Sequence, residues 1–141
     1  MKGRSMTEPW ATLVAVGAKR FETRSFPVSY RGPLAIQAAK RFPPECRELV
    51  HTEPFRSVLG APIWHLGRIL AVVDLVDCVR ITSSNAPDGD EYAFGDYTPG
   101  RFMWRLDNVR RLPAPIPCKG ALGLWAVPAD VMGMIQAGVC G

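Results

Sequence analysis

Long hydrophobic runs are missing from this chain. The longest, Ile69-Leu70-Ala71-Val72-Val73, stops after five residues, against the roughly 20 that a bilayer-crossing helix needs. The opening MKGRSMTEPW has no apolar stretch of the kind a secretory leader carries. Histidine is scarce: His51 and His65 are the only two, and neither stands in a metal-ligand motif. No two of the cysteines Cys46, Cys78, Cys118 and Cys140 fall within four residues of each other, which excludes a Cys-x-x-Cys metal or redox pair. Cys46 and Cys78 sit in amphipathic or apolar runs and read as buried free thiols. No serine has a nucleophile-elbow context, and no glycine run has phosphate-loop spacing. These absences predict a cytoplasmic protein with no metal, no cofactor and no membrane partner.

What is present fits one globular domain. The chain has 141 residues, 48% hydrophobic and 21% charged, enough to bury a core without a staple. Thirteen prolines and thirteen glycines are scattered rather than periodic, so long coiled coils are excluded and short elements with many turns are expected. The net charge is +4, and it is uneven. Residues 1–70 hold 11 Lys and Arg against 5 Asp and Glu, whereas residues 71–141 hold 6 against 8. A basic half suits an anionic partner such as nucleic acid.

Along the chain, residues 1–7 read as a tail and 8–141 as the domain. Thr7-Glu8-Pro9-Trp10 has the form of a helix start with Thr7 as cap, and Gly17 is a natural stop. Strands are predicted at 19–24, at 34–38 with Leu34, Ile36 and Ala38 on one face, at 68–82 with a bend or bulge, and at 101–109. Pro43-Pro44 can open a helix, residues 55–59 a further turn, and Pro128 a helix to Ala137. Residues 83–100 read as a long loop able to act as a mobile lid. Pro113 to Pro117 reads as a connector leading to Gly123–Val127. The pattern is α+β, a small mixed β-barrel with flanking helices.

Several blocks then stand out together: Glu8-Pro9-Trp10-Ala11-Thr12-Leu13, Gly17-Ala18-Lys19, Glu22-Thr23-Arg24-Ser25-Phe26 and Tyr30-Arg31-Gly32-Pro33-Leu34-Ala35-Ile36-Gln37-Ala38, with corroborating stretches at Asp74–Cys78, Phe94–Tyr97, Gly100–Trp104 and Lys119–Trp125. Over about residues 8–127 the chain resembles bacterial and phage ASCH-domain proteins. The resemblance implies a PUA-like fold and work on RNA or nucleosides. Members are described as RNA-binding modules, as ribonucleases and, in one branch, as amidohydrolases acting on N4-acetylcytidine. That branch carries Lys-x-x-Thr after the first helix and a glutamate further along. Here Lys19 matches the lysine, Glu22 stands at the threonine position, and Thr23 is one residue late, on the opposite face of a strand. Where many relatives carry His, this chain has Gln37.

The candidate site follows. A partly desolvated Lys19 can serve as a base, with Glu22 and a carboxylate from the long loop, Glu91 or Asp96, as catalytic partners. Arg20, Arg24, Tyr30, Arg31 and Lys40 are the expected nucleic-acid-binding residues, the arginines as phosphate clamps and Tyr30 as a stacking ring. In a straight strand Arg20, Glu22 and Arg24 share one face, so a solvated salt-bridge ladder is the plain alternative. The reading is an RNA-binding domain, with hydrolysis of single-stranded RNA as its further step. A nucleoside amidohydrolase and a non-catalytic interaction module are the alternatives.

Overall fold

The computed structural model describes residues 1–140. Its strands are β1 (Lys2–Met6), β2 (Phe21–Arg24), β3 (Gly32–Ala38), β4 (Arg68–Arg80), β5 (Phe102–Pro117) and β6 (Leu124–Ala126). Its helices are α1 (Trp10–Ala15), α2 (Pro44–Leu49), α3 (Phe55–Leu59), α4 (Asp90–Ala93) and α5 (Ala129–Cys140). The strands form one curled sheet in the order β2-β5-β4-β3-β1-β6. β1 and β3 run parallel, and the other neighbouring pairs antiparallel.

Side-chain alternation gives the sheet two buried faces. Leu34, Ile36, Val73, Leu75, Trp104 and Leu106 pack on one face against Ala11, Val14 and Ala15 of α1. Ala35, Ile69, Val72 and Leu112 pack on the other against Val131 and Ile135 of α5. A strand buried on both faces is continuously apolar, which is why 69–73 is the most legible stretch of the sequence. The expected irregularity of β4 is present as three shifts in its register with β5.

Four expectations are corrected. Residues 1–7 are not a tail, because β1 lies inside the sheet between β3 and β6. Its apolar content is low because Arg4 is buried by an ion pair rather than by hydrophobicity. Thr7 does not cap α1. Pro9 is the residue before the helix, and the Glu8 carboxylate accepts the Thr12 N–H at 2.7 Å and the Thr12 hydroxyl at 2.5 Å. Pro113–Pro117 is the end of β5, not a connector: Ile116 and Pro117 pair with Ile69 and Arg68. Beyond Arg105 that strand has no β2 beside it, and prolines at alternate positions 113, 115 and 117 can all turn their missing N–H to the open side. Residues 83–100 are not a free lid, since Phe94 and Tyr97 are buried and α4 folds the loop back onto β2.

Candidate functional site

α1 ends in a turn in which the N–H groups of Ala18 and Lys19 both donate to the Leu13 carbonyl at 3.0 Å, with Gly17 at φ +81°. A positive φ of this kind suits glycine. The turn aims the Lys19 side chain inward, leaving it 2% exposed. Its Nζ donates to the Phe94 carbonyl at 2.7 Å. β2 then carries Glu22 and Thr23, both buried on opposite faces, to the same place, because the loop at 93–96 wraps around the strand. The Thr23 hydroxyl accepts the Asp96 N–H at 3.0 Å.

These groups line a cavity of about 480 Å³. Phe94, Lys19, Met6, Phe55 and Glu22 are its least exposed walls. Arg24, Trp10 and Arg101 are half-buried, and Asp96 is exposed. Arg24 Nη2 donates to Glu22 Oε2 at 2.9 Å, and Arg4 Nε stands 3.6 Å from the same oxygen. The Nε atoms of Arg4 and Arg24 are buried without an acceptor. Arg101 pairs with Asp96 at 3.4 Å.

The electrostatics are set by burial. Desolvation pulls the Lys19 ammonium below the usual lysine range, against the attraction of Glu22 and Glu91. Desolvation likewise pushes Glu91 up, although its carboxylate accepts the Arg20 N–H at 2.7 Å and lies near Lys19. Arg4 is lowered by burial and by the neighbouring Arg24. A lysine held this way retains more neutral amine at a given pH, which is what proton abstraction requires.

The structure brings Lys19, Glu22 and Arg24 together, with Asp96 on the rim and Glu91 behind Lys19. Arg20 does not join them: it points out to solvent and faces Asp107 at 4.0 Å. Tyr30 is also outside the cavity wall. Its hydroxyl donates to the Pro33 carbonyl and its ring packs on the core. Arg31 caps the carbonyls of Val28 and Tyr30 from the surface. Lys40 lies at the opposite end of β3 from Arg31, packed over Gly67. Trp10, Phe55 and Phe94 are the aromatic residues of the cavity wall; the cations not anticipated from the sequence are Arg101 on the wall and Arg4 behind Glu22. Gln37 is structural: it accepts from the Ser5 hydroxyl at 2.6 Å and donates to the Cys118 carbonyl at 2.5 Å. Among the described residues no cluster of three His, Cys, Asp or Glu is arranged for a metal, and no helix is long and apolar enough to cross a membrane.

Known proteins share this arrangement of chain. Over 136 residues the chain is 29% identical to Activating signal cointegrator 1 of Mus musculus and to that of Homo sapiens, a match that takes 90% of this chain and 22% of either relative. The chain thus spans less than a quarter of the length of those curated relatives. The crystal structure of ASCH from Zymomonas mobilis superposes with a TM-score of 0.57 at 11% identity, covering 96% of this chain and 93% of that one. A point mutant of the same protein gives 0.56, with 96% of both chains covered. At that identity the likeness shows the fold, a PUA-like mixed sheet with flanking helices. The ASCH domain profile matches residues 5–112, well over half of the sequence, and the chain therefore belongs to the ASCH domain family.

Proposed function

We propose that this protein binds single-stranded RNA and takes one nucleotide of it into the cavity above Lys19, Glu22 and Arg24. The observation that carries the reading is the pairing of a buried lysine and a half-buried arginine with an aromatic wall. Lys19 and Arg24 supply charge for a phosphate, Trp10 supplies a face for a base, and the volume, about 480 Å³, falls in the range of small-ligand sites. Arg20, Arg31 and Lys40 are exposed; Arg20, at the entry to β2, serves the backbone outside the cavity, whereas Arg31 and Lys40 stand at opposite ends of β3. A cytoplasmic setting fits Cys46, Cys78 and Cys118, which are unbridged.

Hydrolysis is the second reading, favoured by one observation: the Lys19 amine is buried and drawn toward its neutral form. Neutral Lys19 would take the proton of a ribose 2′-hydroxyl. The alkoxide would attack the adjacent phosphorus, forming the O2′–P bond of a 2′,3′-cyclic phosphate as the P–O5′ bond breaks, the leaving 5′-oxygen taking the proton back from Lys19 while Arg24 balances the charge that develops. Glu22, held by two arginines, orients the cations rather than moving a proton.

The test is incubation with a single-stranded RNA pool and a panel of modified nucleosides, read by mass spectrometry and by anisotropy of labelled RNA. Binding is expected to weaken with salt by about 0.7 log unit per log unit for each phosphate neutralised. Affinity indifferent to salt would overturn the RNA reading. Turnover of free N4-acetylated nucleoside with RNA left intact would replace it with the amidohydrolase. Neither binding nor turnover would leave a protein-interaction module.

A further inference from the structure

Glu22 is shared by two guanidinium groups, and only one of them has it. Arg24 Nη2 holds the Glu22 Oε2 atom at 2.9 Å, while Arg4 Nε waits at 3.6 Å, buried, with no acceptor. The Arg4 side chain keeps 7% of its exposure. Its remaining contacts, the Gly123 carbonyl at 3.3 Å and the Trp104 ring at 5.6 Å, leave that N–H unused. An unsatisfied buried donor on a charged group is costly. A small shift of the Glu22 carboxylate toward Arg4 would satisfy it and release Arg24.

The charge count points the same way. Arg4, Lys19 and Arg24 face the carboxylates of Glu22 and Glu91, while Arg101 and Asp96 pair with each other. Three cations against two anions leave a positive surplus beside the cavity. The surplus sits at the floor, since Lys19 is 2% exposed and Arg24 and Trp10 stand above it. An internal phosphodiester leads away in both directions, and the rest of its strand would have to enter the recess with it. A terminal phosphate reaches a floor without that difficulty. It also carries about −1.5 to −2 charge and three acceptor oxygens.

We infer that the floor of the cavity is a phosphomonoester site, in which Glu22 passes from Arg24 to Arg4 as a terminal phosphate takes Arg24 and Lys19. What enters is then a nucleotide with a free phosphate, at an RNA end or unattached. This rests on the reading of the cavity as a nucleotide site. Arg4 is a positioning residue here, receiving Glu22 rather than touching the ligand.

The experiment compares short single-stranded RNAs of one sequence bearing a 5′-phosphate, a 3′-phosphate or hydroxyls at both ends, with nucleoside 5′- and 3′-monophosphates as competitors. One phosphorylated end should bind about tenfold or more tighter than hydroxyl ends, the factor that one added charge-assisted hydrogen bond supplies. Arg4→Met should remove that preference while hydroxyl-ended RNA still binds. Arg24→Gln, at a less buried position, should remove it too and serves if Arg4→Met does not fold. Equal affinity for all three RNAs overturns the inference and leaves RNA binding standing. Binding of a monophosphate with no binding of any RNA overturns the RNA reading and upholds the phosphomonoester site. An end preference that survives Arg24→Gln overturns the assignment of the site.

Discussion

Glu8 and Glu53 hold two helices by the same device. Each precedes a proline and an aromatic residue, and each accepts both the backbone N–H and the hydroxyl of the residue four positions on, Thr12 for Glu8 and Ser57 for Glu53. The aromatics that follow, Trp10 and Phe55, both line the cavity. Two helix starts are thus built alike, and each sets one apolar wall of the site.

The two carboxylates differ in burial. Glu8 is fully buried and Glu53 exposed. Glu8→Ala should cost about 2 kcal/mol, the upper end for a lost cap, and Glu53→Ala much less, as read from denaturant midpoints. Desolvation raises the Glu8 carboxyl above its ordinary range. Its burial penalty is therefore absent below the unfolded value near 4.3, grows as pH climbs to the folded value, and is constant above it. Glu8→Gln, which cannot ionise, should gain on the wild type as pH rises from 4 to 7. A difference that does not change with pH would mean that Glu8 is not strained by its charge.

Lys19 invites the opposite test of stability and function. Read as a surface group at a barrel mouth, it would be removable at no cost. It is instead among the largest fully buried side chains. Its lowered pKa means that the charged form is penalised in the folded state at all pH values below the folded pKa. That penalty fades as pH rises toward the unfolded value near 10.4. Lys19→Met fills the space without the charge, and Glu22 still has Arg4 and Arg24. The variant should be more stable by about 1–2 kcal/mol at pH 6, with the margin shrinking by pH 10, and should lose RNA binding and any turnover. A variant less stable at every pH would show that the bond to the Phe94 carbonyl outweighs the desolvation.

The sequence made Lys19, Glu22 and Arg24 legible because they are close together in the chain and carry the chemistry in their own side chains. It did not make Arg4 legible, because its role depends on β1 lying beside β3 and on Trp104 arriving from β5, contacts across long separations. Tyr30 and Arg31 have the composition of a nucleic-acid surface, yet their polar atoms are used on the loop's own carbonyls. The core was easier: residues 34–38 of β3 and 69–73 of β4 are buried throughout, and nearly all of them are apolar. The second half of β5 was hidden by prolines, which the open side of a strand tolerates and a central position would not.

Gly120 should prove as demanding as any core residue. A Cβ placed on it would collide with the Ser5 hydroxyl and the Gln37 carboxamide. Those groups cannot give way freely, since Trp125 Nε1 donates to Ser5 Oγ at 3.2 Å and Gln37 is tied to Ser5 and the Cys118 carbonyl. Gly120→Ala is expected to lower stability by about 1–3 kcal/mol, the cost of forced overpacking. A loss under a few tenths in a denaturant titration would show that the connection before β6 can simply lift away.

Thr23 separates a structural threonine from a chemical one. Its hydroxyl accepts the Asp96 N–H at 3.0 Å, and its carbonyl accepts from Arg101 Nη2 at 3.4 Å. Thr23 therefore fastens the loop that supplies Phe94, Gly95 and Asp96 to the cavity wall. Thr23→Val keeps the shape and removes the acceptor, leaving an amide without a partner at a cost of about 1–2 kcal/mol. Faster hydrogen exchange at residues 94–97 and weaker RNA binding should follow together, and Thr23→Ser should restore both. The Lys-x-x-Thr branch of the family raises the other possibility, a threonine acting on an acetylated base. In that case Thr23→Val would abolish turnover of the nucleoside while exchange in the loop stayed as in the wild type. The structure favours the fastening role, because the Thr23 oxygen accepts the Asp96 N–H, which draws electron density from the atom that would have to attack.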